Sequence, residues 1–100
     1  MNTAIAQKTQ EIAFALIRIS AYIRRFELRK NIERLSYHLV ENIAFQNPEM
    51  AISTIAALRA FVLLGKNIYE IEPINARVID RELETLENEV RRVVGFGSAG

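Results

Sequence analysis

Apolar residues recur three and four apart along almost the whole chain, and the places where that rhythm breaks limit what it can fold into. The first run is Ile5, Thr9, Ile12, Leu16, Ile19, Ile23, Phe26. The second is Leu28, Ile32, Leu35, Leu39, then Asn42 or Ile43. Each spacing marks one face of an α-helix. Between Phe26 and Leu28 the register slips by two residues. Continuing the first stripe would place Lys30, Glu33 and Tyr37 in the core. One straight helix cannot turn both stripes to one core, so the chain is expected to fold back there.

Two prolines mark the later breaks. In QNPEM, Asn47 suits an N-cap, Pro48 the first helical position and Glu49 the first turn. The amide accepts an orphan N–H, proline has none to leave unpaired, and the carboxylate matches the positive helix end. In EIEPIN, Pro73 can start a helix but cannot continue one. The fourth run is Ala76, Ile79, Leu83, Leu86, Val90, Val93, with Glu87 placed before Arg91 for an i,i+4 pair. Three glycines in GFGSAG then end the helix. The spacing predicts helices over 3–25, 28–46, 48–70 and 73–94. Their short connections imply an all-α, antiparallel up-down-up-down four-helix bundle over 1–94, with a flexible tail over 95–100. Two helical hairpins that complete a bundle by dimerising are the structural alternative.

Two helices carry more apolar surface than one bundle core needs. Helix one has a second line, Phe14, Ile17 and Ala21. Helix three has a main line, Met50, Ala57, Phe61, Leu64, Ile68 and Ile71, flanked by Leu58 and Gly65. Its other side carries Arg59, Lys66 and Glu70, but also Ile52, Ala56 and Leu63. Phe14, Ile17, Ala21, Ile52, Ala56 and Leu63 are therefore the candidate interface residues. Gly65 costs about 1 kcal/mol relative to alanine inside a helix. Either a close helix approach or a helix end at that point would account for it.

The stretch YIRRFELRKNIERLSYH holds Arg24, Arg25, Arg29, Lys30 and Arg34; with Arg18 these are the candidate nucleic-acid contacts. At about 100° per residue the cations of helix two do not form one stripe. Arg24 and Arg25 also suit a helix C-terminus, where cations offset the dipole, and Glu33 can partly neutralise Arg29. A solvated turn explains much of the cluster. A repeated patch in an oligomer would still favour phosphate backbones, in a salt-dependent way.

Net charge is +1 over 100 residues, so there is no bulk attraction to polyanions. The chain has no cysteine, which excludes disulfides, thiolate zinc sites and thiol nucleophiles and fits a cytoplasmic location. The first residues lack the early basic charge of a signal peptide. The longest weakly charged run, MAISTIAALRAFVLL, is 15 residues long and contains Arg59. It falls short of the roughly 20 apolar residues of a membrane span. His38, the only histidine, has Arg34 four residues before it and Glu41 three after it. RLSYH resembles the arginine–spacer–histidine motif of HEPN-type ribonucleases. Its three-residue spacer is shorter than theirs, and it lies on the second helix and not near the chain's end. A surface histidine in a charge network is the plainer reading. No Glu-x-x-His pair is present for a bundle metal centre, and no glycine loop lies between a strand and a helix. The sequence therefore leads to a non-enzymatic helical protein with no metal, cofactor or small-molecule substrate and no membrane. Its expected partners are further copies or another helical protein. Nucleic-acid binding through the basic end is the alternative.

Overall fold

A computed structural model describes residues 2–95. It contains four helices, α1 (Thr3–Ser20), α2 (Phe26–Ala44), α3 (Pro48–Asn67) and α4 (Pro73–Val94). Each packs on its sequence neighbour, and α1 closes the ring against α4 through the sparsest seam. The backbones of the diagonal pairs α1/α3 and α2/α4 stay apart. The result is the expected up-down-up-down bundle, 40 × 24 × 18 Å. Ile5, Leu16, Ile32, Leu39, Ile55, Leu58, Leu83 and Leu86 are fully buried along its axis.

Local chemistry explains the helix ends. At the start of α1 the Ile5 N–H donates to Asn2 Oδ1 at 2.8 Å, and at the start of α3 the Met50 N–H donates to Asn47 Oδ1 at 3.2 Å. Pro48 and Pro73 each lie in the first turn of a helix, as their chemistry requires. Helices α2 and α3 end earlier than the spacing implies, each in a left-handed residue, Gln46 (φ 55°) and Tyr69 (φ 64°). In both, two backbone bonds close a Schellman motif. The Gln46 and Asn47 N–H groups donate to the Ile43 and Asn42 carbonyls. Those of Tyr69 and Glu70 donate to the Lys66 and Gly65 carbonyls.

Four readings of the sequence are corrected. Helix α1 stops at Ser20, so Arg24 and Arg25 lie in the turn and do not cap its C-terminal dipole. Arg25 is instead the N-cap residue of α2, and Phe26, expected in the core, opens that helix exposed. Glu33 pairs with Lys30 at 3.6 Å rather than with Arg29. The fourth correction concerns α3. Its buried face is Ala51, Thr54, Ile55, Leu58, Val62 and Gly65, while Met50 and Leu64 of the expected line are about half exposed. A rotation of roughly 100° separates the two stripes. It brings the branched Ile55 and Val62 inward, sets the Thr54 hydroxyl to donate to Asn42 Oδ1 at 2.7 Å, and turns Arg59 to Asp80. Among the described residues no buried side-chain polar atom lacks a hydrogen-bond partner.

Gly65 also has a specific explanation. A Cβ there would lie 2.6 Å from Ile71 Cδ1 and 3.3 Å from Leu28 Cδ2. The missing side chain lets the loop after α3 fold Ile71 back over the last turn of the helix.

Candidate association surface

Helix α3 has one charged residue between Glu49 and Lys66, which is Arg59. Arg59 does not face open solvent from the middle of the helix. Its Nε donates to Asp80 Oδ1 at 2.8 Å and its Nη2 to Asp80 Oδ2 at 3.2 Å, and Glu87 lies 3.9 Å away. Glu87 in turn accepts from Arg91 at 2.8 Å. The hydrogen bond to Asp80, with help from the surrounding carboxylates, raises the Arg59 pKa despite partial burial. With Arg59 turned into the α3/α4 seam, the outward side of α3 is left with Ser53, Ala56 and Ala60, all exposed, beside Met50, Leu63 and Leu64.

Grooves flank this face on both sides. The one toward α4 has a volume of about 570 Å³ and is floored by Ala56, Ala60 and Leu63, with Lys66, Arg77 and Asp80 at its edge. The one toward α2, about 450 Å³, is lined by Phe26, Phe61, Leu64 and Ile68. The 20-residue α3 has a mean hydropathy of 1.4 over its most apolar stretch, and 33% of that stretch is buried. By length and composition it is long and apolar enough to cross a membrane, which the 15-residue run counted from the sequence did not indicate. In this bundle the apolar character has two sources, a buried stripe and an oily exterior.

The other candidate positions are scattered. Ala56 and Leu63 share the outer side of α3. Ile52 is half-buried and packs against the core. On α1, Phe14 is exposed beneath Arg18, whose guanidinium carbon lies 5.5 Å from the ring centroid. Ala21 is exposed in the turn that follows, and Ile17 is half-buried in the α1/α2 groove. The exposed neighbours of Phe14 on α1 include Gln7, Glu11 and Arg18, so that side is mixed and not oily.

At the α1/α2 end the basic residues are engaged within the chain. Glu70, from the α3–α4 loop, accepts the Arg24 N–H at 2.7 Å, and its second oxygen lies 3.5 Å from Arg24 Nη2 and 3.9 Å from Arg25 Nε. The Arg24 N–H bond first, and then the two guanidinium charges, hold the Glu70 pKa below its ordinary value near 4.5. Arg29 donates to the Ile23 carbonyl at 3.0 Å, and both it and Lys30 lie over the Phe26 ring. Arg34 donates to Asn31 Oδ1 at 2.9 Å. The two loops are thus tied by one carboxylate. Sequence spacing carried no sign of that tie, because Glu70 and Arg24 are 46 positions apart. The same end exposes Tyr22 (81%) and Tyr69 (90%), which share a depression with Arg18 and Arg24.

His38 Nδ1 lies 3.5 Å from Glu41 Oε1, while Arg34 turns away to Asn31. Among the described residues, no group of three His, Cys, Asp or Glu side chains could hold a metal ion. Neither a family model, nor a curated protein, nor a solved structure matches this chain.

Proposed function

We propose that the chain is a non-catalytic association module that works by packing α3 against another helical surface. The observation that carries this reading is the solvent side of α3, where Ala56, Ala60, Leu63 and Leu64 are exposed and the only mid-helix charge is diverted to Asp80. Scattered apolar side chains are normal on a protein surface, but a contiguous apolar face is characteristic of an interaction site. The face of α1 is a weaker candidate, since Arg18 and Glu11 accompany Phe14. Sedimentation equilibrium tests the reading. Association that weakens on Ala56→Glu with Leu63→Glu, with unchanged helical content, is the expected result. A monomer at high protein concentration sinks the idea.

A second reading, binding of single-stranded nucleic acid, is favoured by the exposed Tyr22 and Tyr69 beside Arg24. Rings with free faces can stack bases, and arginines can follow phosphates. Affinity for labelled RNA should then fall steeply with salt and drop further on Arg24→Glu with Arg25→Glu. Absence of binding at low salt removes it.

A further inference from the structure

We infer that the partner of α3 is α3 of a second copy, packed antiparallel about a twofold axis beside Ala56 and Ala57. This rests on the association reading above and gives it an occupant and a geometry. The outer side of α3 has a nearly palindromic chemistry. Small residues, Ser53, Ala56 and Ala60, occupy its middle; Met50 and Leu63 lie beyond them; Glu49 and Lys66 lie near its two ends. Among the described residues neither Glu49 nor Lys66 has an ion-pair partner.

A twofold contact is self-complementary, so whatever lies on one side of the axis must suit what lies at the same distance on the other. With the axis between Ala56 and Ala57, Ser53 meets Ala60 of the second copy, Met50 lies on the flank it shares with Leu64, and Leu63 lies on the opposite flank. Glu49 comes within a lysine's reach of Lys66. The small central residues permit close backbone approach, and the flanking Met50 and Leu63 fill the space as the helices diverge. A parallel arrangement would instead set Glu49 against Glu49 and Lys66 against Lys66, with the helix dipoles aligned. Like charges opposite each other are unfavourable, so the charge pattern selects the antiparallel pair.

Size sets the strength. A 20-residue helix offers a strip roughly 30 Å long and 10 Å wide. That is small beside the roughly 800 Å² that each partner contributes to a stable interface. The strip alone makes a dimer that separates on dilution, and the flanking grooves supply the rest of the contact.

The absence of cysteine makes the geometry directly testable. Ser53→Cys and Ala60→Cys both fall at exposed positions, away from the core. In the antiparallel pair a mixture of the two single variants oxidises to a mixed disulfide. Either variant alone does not, because identical positions then lie about 10 Å apart along the helices, beyond disulfide reach. Sedimentation should show Glu49→Lys weakening the dimer by roughly tenfold or less, and adding Lys66→Glu restoring it. An oligomer that forms same-variant disulfides, or that ignores Ala60→Glu, overturns this geometry and leaves self-association standing. A monomer overturns both. A monomer that floats with phosphatidylcholine vesicles overturns both and assigns the oily face to a lipid surface.

Discussion

Helices α3 and α4 are neighbours of similar length, yet the outer side of α4 is laced with charge and that of α3 is nearly free of it. Between its core positions α4 exposes Arg77, Arg81, Glu84 and Asn88 together with Val78, and Ile74 and Val93 are exposed near its ends. Its inner stripe of Ala76, Ile79, Leu83, Leu86 and Val90 is buried throughout. Helix α3 buries an equally regular stripe and then presents Ala56, Ala60, Leu63 and Leu64 on the far side. Both inner faces serve the same core. The difference on the outside is therefore not needed for the shared core, and the association reading proposed above rests on it.

The largest effects should come where the two helices agree. Ile55→Ala on α3 and Leu83→Ala on α4 each remove a fully buried branched side chain and should each cost about 2–5 kcal/mol in denaturant unfolding. Leu64→Ala, on the stripe the sequence favoured, should cost well under half as much. Equal losses at positions 55 and 64 would undo the assignment of the α3 core face.

Next is the turn that ends α3. Gly65→Ala gains helix propensity but drives a methyl into Ile71. Overpacking typically costs about 1–3 kcal/mol, so a net loss near 1 kcal/mol is expected. A gain in melting temperature would show that Ile71 yields freely. Smaller again is the link between the two helices. Arg59→Met removes a partly exposed pair with Asp80 and should cost about 1 kcal/mol or less. A loss several times larger would mean that the arginine also orders the seam.

The smallest effect concerns pH. Folded Glu70 takes up its proton at lower pH than the unfolded chain does. Its contribution is therefore whole above the ordinary glutamate range and fades as pH falls from about 4.5 through the lower folded value. Glu70→Gln should remove that part of the acid sensitivity and loosen the α1–α2 turn. Identical acid-unfolding curves for the two proteins would show that the tie contributes nothing.

How far the fold could be read from the sequence also differs between these helices. The stripe of α4 was legible from Ala76 to Val90 because charged residues fill most of the spaces between its apolar positions, whereas Val93, read as its last member, is about half exposed. On α3 the line through Met50, Ala57 and Leu64 is as apolar as the line through Ala51, Ile55 and Val62. Periodicity gave the helix without its rotation, and the rotation came from partners on other helices, Asn42 and Asp80. The early ends of α2 and α3 were hidden for a related reason. Gln46 and Tyr69 take left-handed conformations that usually call for glycine. Ala56 and Leu63 could be proposed as contact residues from helical spacing alone, whereas the Glu70 tie depends on two loops meeting in space.

The thin α1–α4 seam has a kinetic consequence. Three of the four helix–helix contacts join neighbours in sequence, so they can form with little loop-closure cost, and folding should be fast. Joining α1 to α4 requires the ends of the bundle to meet and brings fewer contacts in return. Spontaneous excursions of the native state should therefore begin by parting these two helices, with the Lys8–Glu82 bridge among the first links to break. In hydrogen exchange, the amides of α1 should become accessible before those of α2 or α3.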